Sequence, residues 1–236
     1  MKNPLASFMR QPSLYIFLPS GGNWWPPGSI ELPVNGELPV LSMTAADEIQ
    51  LKNPDALMSG EATVRLVENC IPNIKDAWQI PEVDLENILI SIRIASVGNN
   101  MTVLVSCPNC KEENKYEIEL GNQLTNSSTV QWLKPLSIPN MNIYFQPVSF
   151  QRQSQLQQEE YQLRKQAQQI DSIVDNNEKK SLASNIVDKL NILSLKSTIE
   201  NIAMIEIPNQ KVTEREFIED FIINCEKRLY QKIQDY

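Results

Sequence analysis

Cys107-Pro108-Asn109-Cys110 is the stretch of this 236-residue chain whose residue types and spacing best suit metal chemistry. Two residues between the cysteines let both thiolates converge on one tetrahedral ion, and zinc is the cofactor such a knuckle takes. Cys107 and Cys110 are therefore the candidate metal ligands. A complete site needs four ligands, and the sequence offers no second close pair. Cys70 and Cys225 each fall on the apolar face of an expected helix, where a free thiol behaves as a small hydrophobe. Four readings of the pair stay open: an intrachain four-cysteine site, half of a site completed by a partner chain, a knuckle turn without metal, and a redox pair. A thioredoxin-like redox motif opens a helix whose N-terminus stabilises the thiolate. Here the polar run from Lys111 to Lys115 leads into an expected strand instead.

Other chemistry finds little support. The chain has no histidine. That removes Ser-His-Asp and Cys-His nucleophilic arrangements, and with them the usual near-neutral general base. No carboxylate spacing singles out an acid/base pair, and no phosphate-cradling glycine loop follows a strand. Gly21-Gly22 lies in a proline-rich segment with no Lys-Ser or Lys-Thr beside it. No catalytic residue is expected, and the chain reads as a non-enzyme.

Charge narrows the partners. Lys and Arg number 21 against 29 acidic residues, a formal net charge of -8. A surface that tracks phosphates needs clustered cations to release counterions, and no dense basic block exists. Nucleic acid is not expected as a partner. Trp24-Trp25, without basic neighbours, is expected to pack against protein. No apolar run is long enough to span a bilayer. The run Leu14–Leu18 is too short for a secretory core, so a cytosolic protein at synthesis is expected. The four cysteines do not form a disulfide framework.

Three segments position these residues. Residues 1–42 are rich in Pro and Gly with interspersed Phe8, Tyr15, Phe17, Trp24 and Trp25. Proline disfavours regular helix, so an extended arm is expected, folded onto its own core or docked on a partner subunit. Residues 43–150 form an expected α+β core that carries the CxxC knuckle. Thr44 caps a helix containing Ala45, Ala46 and Ile49. Another helix follows from Gly60 to Cys70. Asp84 is expected to cap a third, with Leu85, Ile88, Leu89, Ile92 and Ala95 at helical spacing and Gly98 as its stop. Met101, Val103 and Val105 then alternate as a strand. So do Tyr116, Ile118 and Leu120, the pattern of a half-buried strand. Met141, Ile143 and Phe145 suggest a third strand in the same small antiparallel sheet. Residues 151–236 read as helical, with a break at Asp175-Asn176-Asn177 and a helix from about Ser181 to Ile205. A last helix starts at a Thr213/Glu216 capping box and carries Phe217, Ile218, Phe221, Ile222, Cys225, Leu229 and Ile233 as its apolar stripe.

Several words of this sequence, in this order, resemble the T-even-type phage baseplate hub family. They are Leu38-Pro39-Val40, Thr44-Ala45-Ala46-Asp47-Glu48, Pro54-Asp55-Ala56-Leu57-Met58-Ser59-Gly60 and Cys70-Ile71-Pro72 with Trp78. Ile92-Arg93-Ile94-Ala95-Ser96-Val97-Gly98, the Cys107–Cys110 pair and Tyr116-Glu117-Ile118-Glu119-Leu120 continue the resemblance. It covers residues 14–150 well and the C-terminal part loosely. It implies a hub subunit or hub assembly chaperone of a contractile, myovirus-type tail, with other baseplate and hub proteins as partners and an oligomer within the assembly. Expected locations are the host cytoplasm during assembly and the virion tail baseplate. The resemblance implies no catalytic residues. Two further readings rest on the cysteine pair: a small zinc-ribbon module binding nucleic acid, and a thiol redox enzyme.

Overall fold

The structure is a computed structural model that describes residue 5 and residues 9–126, 134–170 and 176–235. Phe8 of the expected arm and Asp175 of the expected helix break lie outside the described residues. The fold is α+β, as the sequence predicts, with short antiparallel sheets among helices. The chain divides into two compact units, Met1–Val130 and Gln131–Tyr236.

In the first unit the proline-rich arm lies on its own core. Strand β1 (Pro12–Ile16) pairs antiparallel with β2 (Leu38–Leu41), placing Tyr15 opposite Pro39 and Ile16 opposite Leu38. Side chains alternate across a strand, so Ile16, Leu18, Leu38 and Val40 turn inward and are buried. Between the strands the chain turns on glycines with positive φ. At Gly22 (φ 87°) the left-handed backbone favours glycine, and a Cβ there would also displace the Leu32 side-chain end. Further along, Glu31 N–H donates to Asn73 O and Lys75 N–H to Ser29 O, both at 2.8 Å.

The helices beneath the arm begin where their caps dictate. Helix α1 (Ala45–Leu51) is capped by Thr44, as expected. Asp47 closes the capping box: its Oδ2 accepts from Thr44 N–H at 2.7 Å, and its own N–H donates to Thr44 Oγ1 at 3.3 Å. Asn53 caps the short α2 (Pro54–Met58), with proline at the first helical position where its missing donor costs nothing. Helix α3 (Glu61–Cys70) follows Gly60 and buries Ala62, Val64, Leu66, Val67 and Cys70 on one face.

Helix α4 (Glu82–Val97) corrects one expectation. Its N-cap is Pro81, and Asp84 is the third helical residue. Proline fixes φ for a helix start without wasting a donor, which leaves the Asp84 side chain for another task. Ile88 and Ile92 are buried as predicted, and Gly98 (φ 106°) ends the helix. Arg93 reaches back to Gly98 O at 3.1 Å rather than into an ion pair. A hairpin of β3 (Asn100–Ser106) and β4 (Glu113–Glu119) and the short α5 (Leu120–Asn126) complete the unit.

Asp47 makes the first unit's stability depend on pH. Burial alone would raise its carboxyl pKa. The Thr44 amide and hydroxyl, Asn69 Nδ2 at 2.9 Å and the Arg10 guanidinium at 3.6 Å outweigh that and hold it below its ordinary value. A depressed carboxyl contributes stability that is present above the unfolded value of 3.8 and is lost as pH falls through the folded one. Asp47→Asn is therefore expected to flatten the acid side of the stability profile. The urea midpoint of wild type minus variant, followed as pH is lowered below 3.8, should shrink.

The second unit is a four-stranded antiparallel sheet in the order β5 (Leu136–Ile138), β6 (Met141–Phe145), β7 (Ile202–Ile207), β8 (Gln210–Val212). The third expected strand is thus β6, and it belongs to this sheet rather than to the cysteine hairpin. The chain between β6 and β7 holds two long helices, α6 (Phe150–Ile170) and α7 (Asn176–Glu200), packed on each other. Arg152 Nε donates to Glu200 Oε1 at 3.0 Å, tying the start of one to the end of the other. The helix expected to run to Ile205 stops at Glu200, and Ile202–Ile207 is a strand. Isoleucine-rich runs of this length suit a sheet as well as a helix, and pairing with β6 and β8 decides the matter.

Helices α8 (Arg215–Asn224) and α9 (Lys227–Gln234) replace the single expected last helix. The Thr213/Glu216 box does not form. Glu214 is the N-cap, with no side-chain cap bond. Arg215 Nη1 instead donates to Ile199 O in the last turn of α7 and to Ile202 O at the start of β7, both at 2.8 Å. Ile218, Ile222 and Ile233 of the expected stripe join Ile143, Ile199, Ile202 and Ile205 in the core. Phe217 remains exposed.

Candidate functional site

The predicted metal ligands sit at the tip of the β3–β4 hairpin. Its ladder is regular from Asn100↔Glu119 to Ser106↔Glu113. Directly opposed residues share a face. Met101 with Ile118, Val103 with Tyr116, and Val105 with Asn114 therefore build one apolar face. Thr102 with Glu117 and Leu104 with Lys115 build a more polar one. The base is fixed by Leu120, which is buried and whose N–H donates to Asn99 O at 3.0 Å, and by Gly121 N–H on Asn99 Oδ1 at 2.6 Å.

Most of the apolar face is exposed. Tyr116 is 54% exposed, Val105 47%, Met101 40% and Ile118 38%. The sequence reading made β4 half-buried, and that is corrected here. Alternation reveals which side chains share a face, but burial depends on a second layer, which two strands alone do not supply.

At the tip the chain is tightly bonded. Cys107 N–H donates to Glu112 O and Lys111 N–H to Cys107 O, both at 2.9 Å. Lys111 takes φ 62°, a left-handed conformation unusual for a residue with a side chain. The Cys110 and Asn109 backbone N–H groups, and after them the Cys110 thiol, hold the Cys107 thiol below its ordinary pKa value. Cys107 is half-buried and Cys110 exposed.

Cys70 is buried on α3, and its thiol is pushed up to about 11 by burial and the Asp47 charge, partly offset by Arg10. Cys225 donates to Ile222 O at 3.4 Å in the second unit, and burial raises its thiol as well. Among the described residues no group of three Cys, Asp or Glu side chains is placed to hold a metal ion.

Two polar arrangements, one buried and one part-buried, carry the arm, and sequence reasoning missed both. Asp84, fully buried, accepts from Ser20 N–H at 2.8 Å, Ser20 Oγ–H at 2.5 Å and Trp25 Nε1–H at 2.8 Å. Burial raises its carboxyl pKa despite these three bonds. Arg10 donates to Ser42 O at 2.8 Å and Asn69 O at 2.7 Å, beside Asp47 and Cys70. The signal for the first was present: an acidic residue on the same helical phase as Ile88 and Ile92 asks for buried donors. Trp25 packs against protein as expected.

The family profile described as T4 bacteriophage base plate protein matches residues 31–236. The chain belongs to that family. The match spans most of both units, so membership rests on the whole architecture and not on the cysteine turn. A base plate protein works among other base plate proteins of the phage tail. No curated protein and no solved structure matches the chain. Among the described residues no helix is long and apolar enough to cross a membrane.

Proposed function

We propose that this base plate protein builds the hub of a contractile tail, by protein contacts and without a bond-making centre of its own. The observation that carries the reading is the outer face of the arm. Strand β1 is pinned by Ile16 and Leu18 on its inner side, so its outer side chains have a fixed direction. Tyr15 is 59% exposed and Phe17 64%, with Val34 and Leu32 also exposed nearby in the chain. Single exposed apolar residues are ordinary. Two large aromatics, Tyr15 in β1 and Phe17 just past its end, are the kind of anchor that carries binding energy at protein interfaces. The hub resemblance supplies the class of partner, and the absence of histidine and of a phosphate loop supports a role without catalysis.

The test is co-expression of the full chain with the hub and outer base plate proteins of the same phage, followed by affinity capture. The expected complex contains a hub protein. Tyr15→Ser with Phe17→Ser should weaken it at least tenfold, with little change in melting temperature. Capture of outer base plate proteins alone, or an unaffected complex in the double variant, would contradict the proposal.

A further inference from the structure

We infer that the Cys107–Cys110 turn is half of a zinc site, completed by the same turn of a second copy of this chain, so that one ion bridges two hairpins. This goes beyond the hub reading and stands independently of it.

The turn already has the form a bound metal requires. Lys111 holds a left-handed conformation, its N–H closes the loop on Cys107 O, and Cys107 N–H reaches across the turn to Glu112 O. The fixed turn means that little ordering remains to be done when an ion arrives. Both sulfurs lie at the surface, where an ion can reach them.

The first unit supplies two ligands and no more. No third Cys, Asp or Glu side chain joins the pair among the described residues. The undescribed residues of this unit, 1–4, 6–8 and 127–130, contain no Cys, His, Asp or Glu. A structural zinc site closes with four ligands in a tetrahedron, at about 2.3 Å for sulfur. Two thiolates are half of that set, and a two-fold axis through the ion doubles them without any new ligand type.

The hairpin fits the same symmetry. Its apolar face, with Met101, Val105, Tyr116 and Ile118 exposed and Val103 half-buried among them, runs directly into the cysteine turn. A two-fold contact is self-complementary, so an apolar face meets its own copy. Metal and face would then act together: the ion fixes the tips and the apolar side chains cover each other below. Lys111 at the tip offsets part of the negative charge left by four thiolates on one divalent ion, with Glu112 and Glu113 beside it opposing that. Binding converts four thiols to thiolates and releases their protons.

The experiment uses the full chain, reduced and stripped of metal, titrated separately with zinc and with cobalt as its spectroscopic stand-in. Mass is followed by light scattering. The expected result is saturation at one ion per two chains, conversion to a dimer, and the cobalt spectrum of four tetrahedral sulfurs. Cys107→Ser and Cys110→Ser should each lose the metal and the dimer while circular dichroism stays unchanged. Met101→Lys with Ile118→Lys keeps the cysteines and should weaken dimer and metal together. One ion per monomer, a spectrum of two sulfurs, or no binding unless another base plate protein is added would each overturn the inference.

Discussion

Asp84→Ala is expected to destabilise the first unit by about 3 kcal/mol and to release the arm to protease. The reasoning rests on what the carboxylate leaves behind. Trp25 Nε1–H can only donate, and Ser20 N–H is fixed by the backbone; both meet Asp84 oxygens at 2.8 Å in a buried site. An unpaired buried donor costs roughly 1–3 kcal/mol. Two donors would reach the upper part of that range or beyond, and relief of the buried charge returns a fraction. The Ser20 hydroxyl also loses its acceptor, although it is free to rotate and its oxygen keeps the Gly22 N–H at 3.0 Å. Glu86, exposed on the same helix, is the control: Glu86→Ala should change stability by no more than about 0.5 kcal/mol. Urea unfolding gives the energy. Limited proteolysis between Phe17 and Trp25 reports the arm directly. Equal cleavage in both variants would show that the carboxylate does not hold the arm.

Ile218→Ala should cost about 3 kcal/mol in the second unit, whereas Phe217→Ala should cost almost nothing. The residues are neighbours on α8, both were expected on one apolar stripe, and the larger side chain is the one that matters less. Ile218 is fully buried among Ile143, Ile202 and Ile222. Removing its branched side chain leaves a cavity against strands that cannot collapse into it, and such truncations cost about 2–5 kcal/mol. Phe217 is 61% exposed, and an exposed truncation stays within about 0.5 kcal/mol. Thermal melts of the two variants separate the cases. A Phe217→Ala loss as large as that of Ile218→Ala would mean the stripe is buried along its full width.

What could be read in the sequence was what acts over a few residues. Thr44 caps α1 through an aspartate three positions on, Gly98 stops α4 because it alone adopts φ 106° freely, and Ile88 and Ile92 follow the helical period. What escaped depends on distant chain. Asp84 carries the look of an N-cap, but Ser20 and Trp25, more than fifty positions earlier, decide its role. Ile202–Ile207 is a strand because β6 and β8 flank it. Its local clue was Pro208-Asn209, the proline and positive-φ asparagine (φ 70°) of a type II turn. Pro139-Asn140 makes the same turn between β5 and β6, with Asn140 at φ 62°. A helix expected to run to Ile205 left that hairpin unread. For the candidate site, the cysteine spacing and the alternation around it were legible. The exposure of the apolar face was not, because nothing local encodes what covers it.

The most direct test of the account is removal of this chain from its phage, with sedimentation and electron microscopy of the tail structures that accumulate. The account predicts base plates arrested without a complete hub and no finished tails, restored by supplying the chain in trans. Normal numbers of complete, infectious tails in its absence would contradict it.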